Sequence, residues 1–324
     1  MGKKAWLAIV VAVLGLLLGG CKLTGGEAFP TKPLKLIVPV GAGGVWDVYA
    51  RPLAKAVEPR LGQPVAVEDV VGGAMVIGTA QGLSAPPDGY TLTWLMVGPL
   101  TTQPYLGQVP YTLDQIELIC LAVSDTHVLA VPADAPPRNL EEFFAWARSK
   151  GTLKTGINTV AGIPHLALIR LAQLGNVNFN IVPGYNQMPE VLTAMLNRQL
   201  DFGLYPAGVV EWAVKEGKVR LIATVDDKRH PLFPEVPTAQ EQGYQVTATV
   251  WAGVAVPKGT PAERVQKLHE AFKKALDSED VRNAVRKTGC QVTYLESKAW
   301  REKILAEQKI NQAIIQDLKA KGQL

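Results

Sequence analysis

Three short segments of the chain gather residues able to hold an anion without offering it a charged side chain. The first is Pro39-Val40-Gly41-Ala42-Gly43-Gly44-Val45-Trp46-Asp47. Glycine reaches backbone conformations closed to other residues and lets a ligand come close to the main chain. An apolar run, Leu34 to Val40, leads into the glycines, and a helical pattern follows them. The free N–H groups of a helix start, with the helix dipole behind them, attract a carboxylate. Val40, Gly41, Ala42, Gly43, Gly44 and Trp46 are therefore candidate ligand-binding residues. Asp47 is a further candidate, as a helix cap or as the acceptor of a ligand ammonium. The spacing is not that of a dinucleotide-binding glycine loop.

The second segment, Thr155 to His165, repeats the order of strand, small polar residues and helix start. Asn158 and Thr159 bring hydrogen-bond donors, Ala161 and Gly162 allow close approach, and His165 reads more readily as a packing residue than as a base. The third segment, Val182 to Pro189, offers the polar tips of Tyr185, Asn186 and Gln187. Asp201 reads as a turn cap. Trp46, Trp94, Trp251 and Tyr205 would line a cleft or fill a core. On spacing alone, each loop also reads as an ordinary strand-to-helix turn.

Other chemistries find little support. No G-x-S-x-G, phosphate-binding loop or H-E-x-x-H pattern occurs, so an enzyme is not expected. His127, His165, His230 and His269 lack zinc-like spacing, and no metal or cofactor is expected. Cys120 and Cys290 sit in apolar runs and read as buried thiols. A net charge of +4 over 324 residues argues against nucleic acid as a partner.

The elements that must position these loops alternate between strand and helix. Residues 34–97 read as strand, helix (Asp47–Leu61), strand, helix (Gly72–Leu83), strand, the pattern of a parallel sheet with crossover helices. The apolar stretch Leu118 to Val131 is interrupted by Ser124-Asp125-Thr126, where the chain is expected to cross to a second α/β unit. Arg220–Val225 is expected to bring it back, and Ser297–Lys321 reads as a long final helix. Two such units, joined by two crossings, enclose a cleft where strand C-termini meet helix starts. The expected boundaries are 29–124 plus 226–324 for lobe 1 and 125–225 for lobe 2.

The beginning of the chain is an export signal by pattern. Lys3 and Lys4 precede the apolar stretch Trp6 to Leu18, then Gly19-Gly20-Cys21. The apolar stretch is shorter than the roughly 20 residues of a membrane-spanning helix. Leu18-Gly19-Gly20-Cys21 resembles a bacterial lipobox. Residues 1–20 are thus expected to be a lipoprotein signal peptide, Cys21 the lipidated anchor and 21–28 a tether, placing the protein outside the cytoplasm, at the periplasm or cell surface.

Beyond these local readings, Phe29-Pro-Thr-Lys-Pro-Leu-Lys-Leu-Ile-Val-Pro39, Ala85-Pro-Pro-Asp-Gly-Tyr-Thr-Leu92, His165-Leu-Ala167, Pro234-Glu-Val-Pro-Thr238 and Pro257-x-Gly-Thr-Pro261 recur together in one family. The chain resembles the tripartite tricarboxylate transporter substrate-binding proteins, also called the TctC-like or Bug family. That resemblance implies a type II periplasmic-binding-protein fold, each lobe a central mostly parallel sheet flanked by helices. It implies a small organic carboxylate as ligand, held largely by backbone N–H groups of the first two loops. It implies two membrane subunits as partners in secondary transport without ATP, with a ligand-sensing receptor for a membrane kinase as the alternative, and a monomeric binding protein. The second loop departs from the family's usual Gly-Ser-x-Gly-x-Gly-Ser: Ile157 and Gly162 stand at its serine positions and Ala161 at a glycine. With hydroxyl donors lost and Trp46 gained, a less polar or aromatic monocarboxylate is the expected ligand.

Overall fold

The computed structural model describes residues 29–324. The expected signal peptide 1–20, lipidation site Cys21 and tether 21–28 lie outside the described residues.

From Lys32 onward the chain opens with β1 (Leu34–Val38), α1 (Val45–Leu61), β2 (Val65–Asp69), α2 (Val76–Leu83) and β3 (Thr91–Met96). β1 lies between β2 and β3, parallel to both, with Leu36 opposite Val67 and Leu92. Its Leu36, Ile37 and Val38 are all buried, as suits a strand covered on both faces. Helix α1 begins two residues before the expected Asp47, because Gly44 already takes the extended N-cap conformation. It ends at Gly62, whose left-handed φ of 72° lets the N–H return to Glu58. Two short helices not read from the sequence follow β3: α3 (Val97–Thr101) and α4 (Gln103–Leu106).

At Ser124-Asp125-Thr126, where the crossing is expected, the chain stays in one strand. β4 runs unbroken from Ile116 to Pro132. The polar residues stay in the strand because the ladder satisfies their backbone and neighbours satisfy two of their side chains. Ser124 Oγ lies 2.6 Å from Thr293 Oγ1, and Thr126 Oγ1 donates to Asp226 Oδ2 at 2.7 Å. Up to Thr126, β4 pairs with β9 (Thr249–Pro257) and β10 (Gln291–Glu296); from His127 it pairs with β7 (Gly203–Pro206) and β8 (Val219–Thr224). The resulting sheet runs β10-β4-β9-β3-β1-β2, with β7 and β8 attached to β4.

Between β4 and β8 lie α5 (Leu140–Lys150), β5 (Thr152–Gly156), α6 (Ile163–Gly175), β6 (Asn178–Val182), α7 (Met188–Leu196) and α8 (Ala207–Lys215). Asn139 caps α5, accepting from the Glu142 N–H at 2.9 Å. β5 and β6 form a separate parallel pair. Parallel pairing occurs where helices make the crossovers, at β1–β2, β1–β3 and β5–β6; the pairs made by β4, and β3 with β9, are antiparallel. The chain closes with α9 (Ala262–Leu276), α10 (Glu279–Arg286), β10 and α11 (Ser297–Ala320).

One core cluster gathers Phe143, Phe144, Leu168, Phe202 and Leu204; another gathers Leu95, Leu121, Trp251, Trp300 and Ile304. Trp94 and Trp251 are wholly buried and belong to the core. α11 reaches further, since its Ile314, Ile315 and Leu318 pack with Leu166 of α6. Cys120 and Cys290 are buried free thiols, and burial pushes Cys120 up to about 12. Among the described residues no helix is long and apolar enough to cross a membrane.

Candidate functional site

The loop after β1 is shaped by one positive-φ residue and one returning side chain. Gly43 has φ 76°, a conformation that costs glycine little. Its N–H donates to Asp47 Oδ2 at 2.8 Å, and the Gly44 N–H donates to the Gly41 carbonyl at 3.0 Å. Gly44 is the N-cap of α1 and offers no side-chain cap. The N–H groups of Gly41, Ala42, Val45 and Trp46 thus have no acceptor among the described residues.

Asp47 is buried, and its second oxygen pairs with Arg51 Nε at 2.7 Å. Burial opposes its charge, but Arg51 and the Gly43 N–H outweigh that and hold Asp47 below the ordinary carboxylate value. Arg51 also pairs with Asp69, which burial and the nearby Asp47 charge push up. Both Asp47 oxygens are therefore engaged within the protein, and the residue acts as the loop's anchor.

The loop after β5 has the same construction with different residues. Ala161 takes φ 56°, its N–H donates to His165 Nδ1 at 2.8 Å, and Gly162 is the uncapped N-cap of α6. The Gly162 N–H points back to the Thr159 carbonyl at 3.4 Å, matching Gly44 to Gly41. In both loops the third helical residue accepts from the N–H just before the N-cap, one residue earlier than in a capping box. An Nδ1 that accepts a bond carries no proton, and burial holds His165 below its ordinary value. Pro164 at the second helical position removes an N–H, so α6 presents fewer free donors than α1. Asn158 and Thr159 are exposed beside it.

The loop after β6 follows suit, with the Asn186 N–H donating to Glu190 at 3.0 Å. Tyr185 is half-buried against Gly156, where a Cβ would come within 2.7 Å of its ring. The second and third loops therefore meet at one end of the β5–β6 pair. Asp201 ties in behind them, accepting from the Lys154 N–H at 2.7 Å. Tyr205 is not brought to these loops. Its ring is wholly buried and its hydroxyl donates to the Val191 carbonyl at 3.3 Å, inside the core beneath α7.

A further loop, after β2, was missed by the sequence reading, which placed a helix from Gly72. Gly72, Gly73, Ala74 and Met75 all have positive φ, from 50° to 128°. Holding Ala74 and Met75 there costs on the order of 1–3 kcal/mol each, and such strain gathers at ligand clamps. Val71 borders the first loop, within 3.7 Å of where a Cβ on Gly41 would sit. The signal was present: the Gly72-Gly73 pair follows a strand just as Gly43-Gly44 does. Exposed Val45, Val48, Val71, Ile77 and Val160 add an apolar surface along these loops, and Trp46 is half-buried, edge-on to Tyr49 at 5.4 Å. Neither lysine nor arginine occurs in 39–46, 70–76, 157–165 or 183–189.

A family model described as the tripartite tricarboxylate transporter family receptor matches residues 49–320. The chain belongs to this receptor family. A TctC solute-binding protein from Polaromonas, solved without ligand, superposes with a TM-score of 0.84 at 29% identity, covering 90% of this chain and all of that one. MatC from Rhodopseudomonas palustris, solved with bound malate, gives a TM-score of 0.69 at 26% identity over 89% of this chain and all of that one. A protein from the gbd 5′ region of Cupriavidus necator is 33% identical over 97% of this chain and 96% of its own. Within the tripartite tricarboxylate transporter receptor family, this chain's loops present backbone donors and aliphatic side chains, with their carboxylate and imidazole turned inward to hold the turns.

Proposed function

We propose that the protein is an extracytoplasmic receptor that captures a small, weakly polar carboxylate between two lobes, 29–124 plus 226–324 and 125–225, and delivers it to the membrane subunits of a tripartite tricarboxylate-type secondary transporter. The observation that carries this reading is the pair of matching helix starts, each with a glycine N-cap, free N–H groups and a tied-back third residue. Two such sites suit an anion better than any other ligand class. Val40, Gly41, Ala42, Gly43, Gly44, Trp46, Asn158, Thr159, Gly162, Tyr185 and Asn186 form the proposed contact set. Asp47, Ala161 and His165 hold its shape. Closure follows when a bound ligand touches both lobes and favours the closed state.

Malate is a reasonable first probe, since MatC binds it. The aliphatic surface formed by Val45, Val48, Val71, Ile77 and Val160 favours a less polar acid, including aromatic monocarboxylates that stack on Trp46. In this reading Cys21 anchors the monomeric protein to the membrane by its acyl chains. Native mass spectrometry of the purified protein, followed by calorimetric titration with malate, citrate, benzoate and hexanoate, tests the proposal. A monocarboxylate that binds more tightly than citrate supports it. Micromolar citrate binding would overturn the weakly polar assignment, and binding of no carboxylate would overturn the function.

A further inference from the structure

A cavity of about 130 Å³ lies behind the loop after β5, between α6 and α11 and beside the chain leading into β9. It is close to the ~150 Å³ that admits a benzene-sized molecule. Ile163, Ile310 and Ile314 give it aliphatic walls, and Arg170, Thr249 and Glu307 stand among its polar groups, with Gln240, Gln245, Thr247 and Asn311. Glu307 is already neutralised: its oxygens accept from Trp251 Nε1 at 3.0 Å and pair with Lys303 at 2.9 Å. Arg170 and Thr249 are unspent. Arg170 has no ion pair or hydrogen bond among the described residues. Thr249 Oγ1 is buried, only 5% of the residue being exposed, and likewise has no partner there. A buried hydroxyl and a half-buried guanidinium, both without acceptors, usually mark a place where a ligand supplies them.

We propose that this cavity is a second small-molecule site, taking a short aliphatic carboxylate. Its carboxylate accepts from the Arg170 guanidinium and the Thr249 hydroxyl, and its chain lies against Ile310 and Ile314. Arginine's planar fork matches a carboxylate in geometry and charge. Ile163 lines the cavity and is also the first residue of α6, whose start forms the loop after β5. An occupant therefore touches the helix that presents the proposed ligand-binding loop, and the two sites are coupled reciprocally.

The test uses butyrate as probe and the Trp251 indole N–H as reporter, since it is bonded to Glu307 in the cavity wall. Butyrate is titrated into the wild-type protein and into Gly44→Val, where the loop after β1 is blocked, while the indole resonance is followed by NMR. A saturable indole shift in both proteins is expected. Arg170→Gln should weaken that titration at least about tenfold, the loss of one charge-assisted contact. Arg170→Lys should recover part of it, and Thr249→Val should weaken it with the fold unchanged by circular dichroism. An unmoved indole signal, or an identical titration in Arg170→Gln, overturns the proposal. Loss of all butyrate response in Gly44→Val does so too, because it assigns the acid to the first site alone.

Discussion

If Asp47 anchors the loop and does not touch the ligand, its charge is dispensable and its hydrogen-bond acceptor is not. Asp47→Ala removes the acceptor of the Gly43 N–H and one partner of Arg51. A hydrogen bond to a charged group contributes about 1.5–3 kcal/mol. The Arg51 pair adds no more than about 1 kcal/mol, because that side chain is 46% exposed and keeps Asp69. The expected stability loss is thus about 2–3 kcal/mol for Asp47→Ala. Asp47→Asn keeps an oxygen facing Gly43 and should lose only about 1 kcal/mol. Urea denaturation measures both, and calorimetry with the tightest acid from the ligand screen measures the consequence for binding. Asp47→Asn should bind within about threefold of wild type, whereas Asp47→Ala should weaken binding about tenfold or more, a difference of roughly 1.4 kcal/mol per decade. Equal loss of affinity in the two variants, with Asp47→Asn still stable, would refute the reasoning by making the carboxylate itself a ligand contact.

Gly44→Val should abolish binding of the tightest acid from the ligand screen by calorimetry, while leaving the butyrate response of the cavity beside α11 and the far-ultraviolet spectrum, because a Cβ there meets the Gly41 carbonyl at 2.9 Å and forces the turn open; normal binding of that acid would exclude the loop after β1 as the anion site. Burial holds the His165 pKa below 6.5, so its neutral form is favoured in the folded protein. That contribution is complete above the unfolded value and is lost as pH falls toward the folded value. Wild type should accordingly lose more stability below about pH 6.5 than His165→Asn, which keeps an acceptor for Ala161, and superimposable urea midpoints against pH would count against this role. Trp46→Ala should change the ranking of aromatic over aliphatic acids with little effect on the urea midpoint; a large midpoint drop at unchanged ranking would place Trp46 in the framework.

Much of the fold was legible because its signals are local. Gly62, Asn139 and the alternation of apolar runs with helical periodicity each act over a few residues, and the helices they imply are present within a turn. The continuity of β4 was not legible at Ser124, Asp125 and Thr126, because polar residues interrupt the apolar run and β9 and β10 supply their partners from more than 120 residues away. β10 itself was missed, since Gln291–Glu296 is a half-buried edge strand without clear alternation. At the site, Gly41–Gly44 announced itself through glycine. Ala161 did not, because alanine in a left-handed conformation has no sequence mark and is held only by His165 and the surrounding turn. Ala74 and Met75 were hidden in the same way behind an apparently helical pattern. Tyr205 shows the converse: a polar tip near a loop in sequence lies in the core because Val191 satisfies its hydroxyl.

The continuity of β4 sets the kind of movement open to the molecule. A single extended rail of 17 residues serves two families of partner strands, changing partners between Thr126 and His127. Such a rail cannot fold at one joint without tearing its ladder. On that account the closure proposed above is taken up as torsion spread along successive residues of the rail.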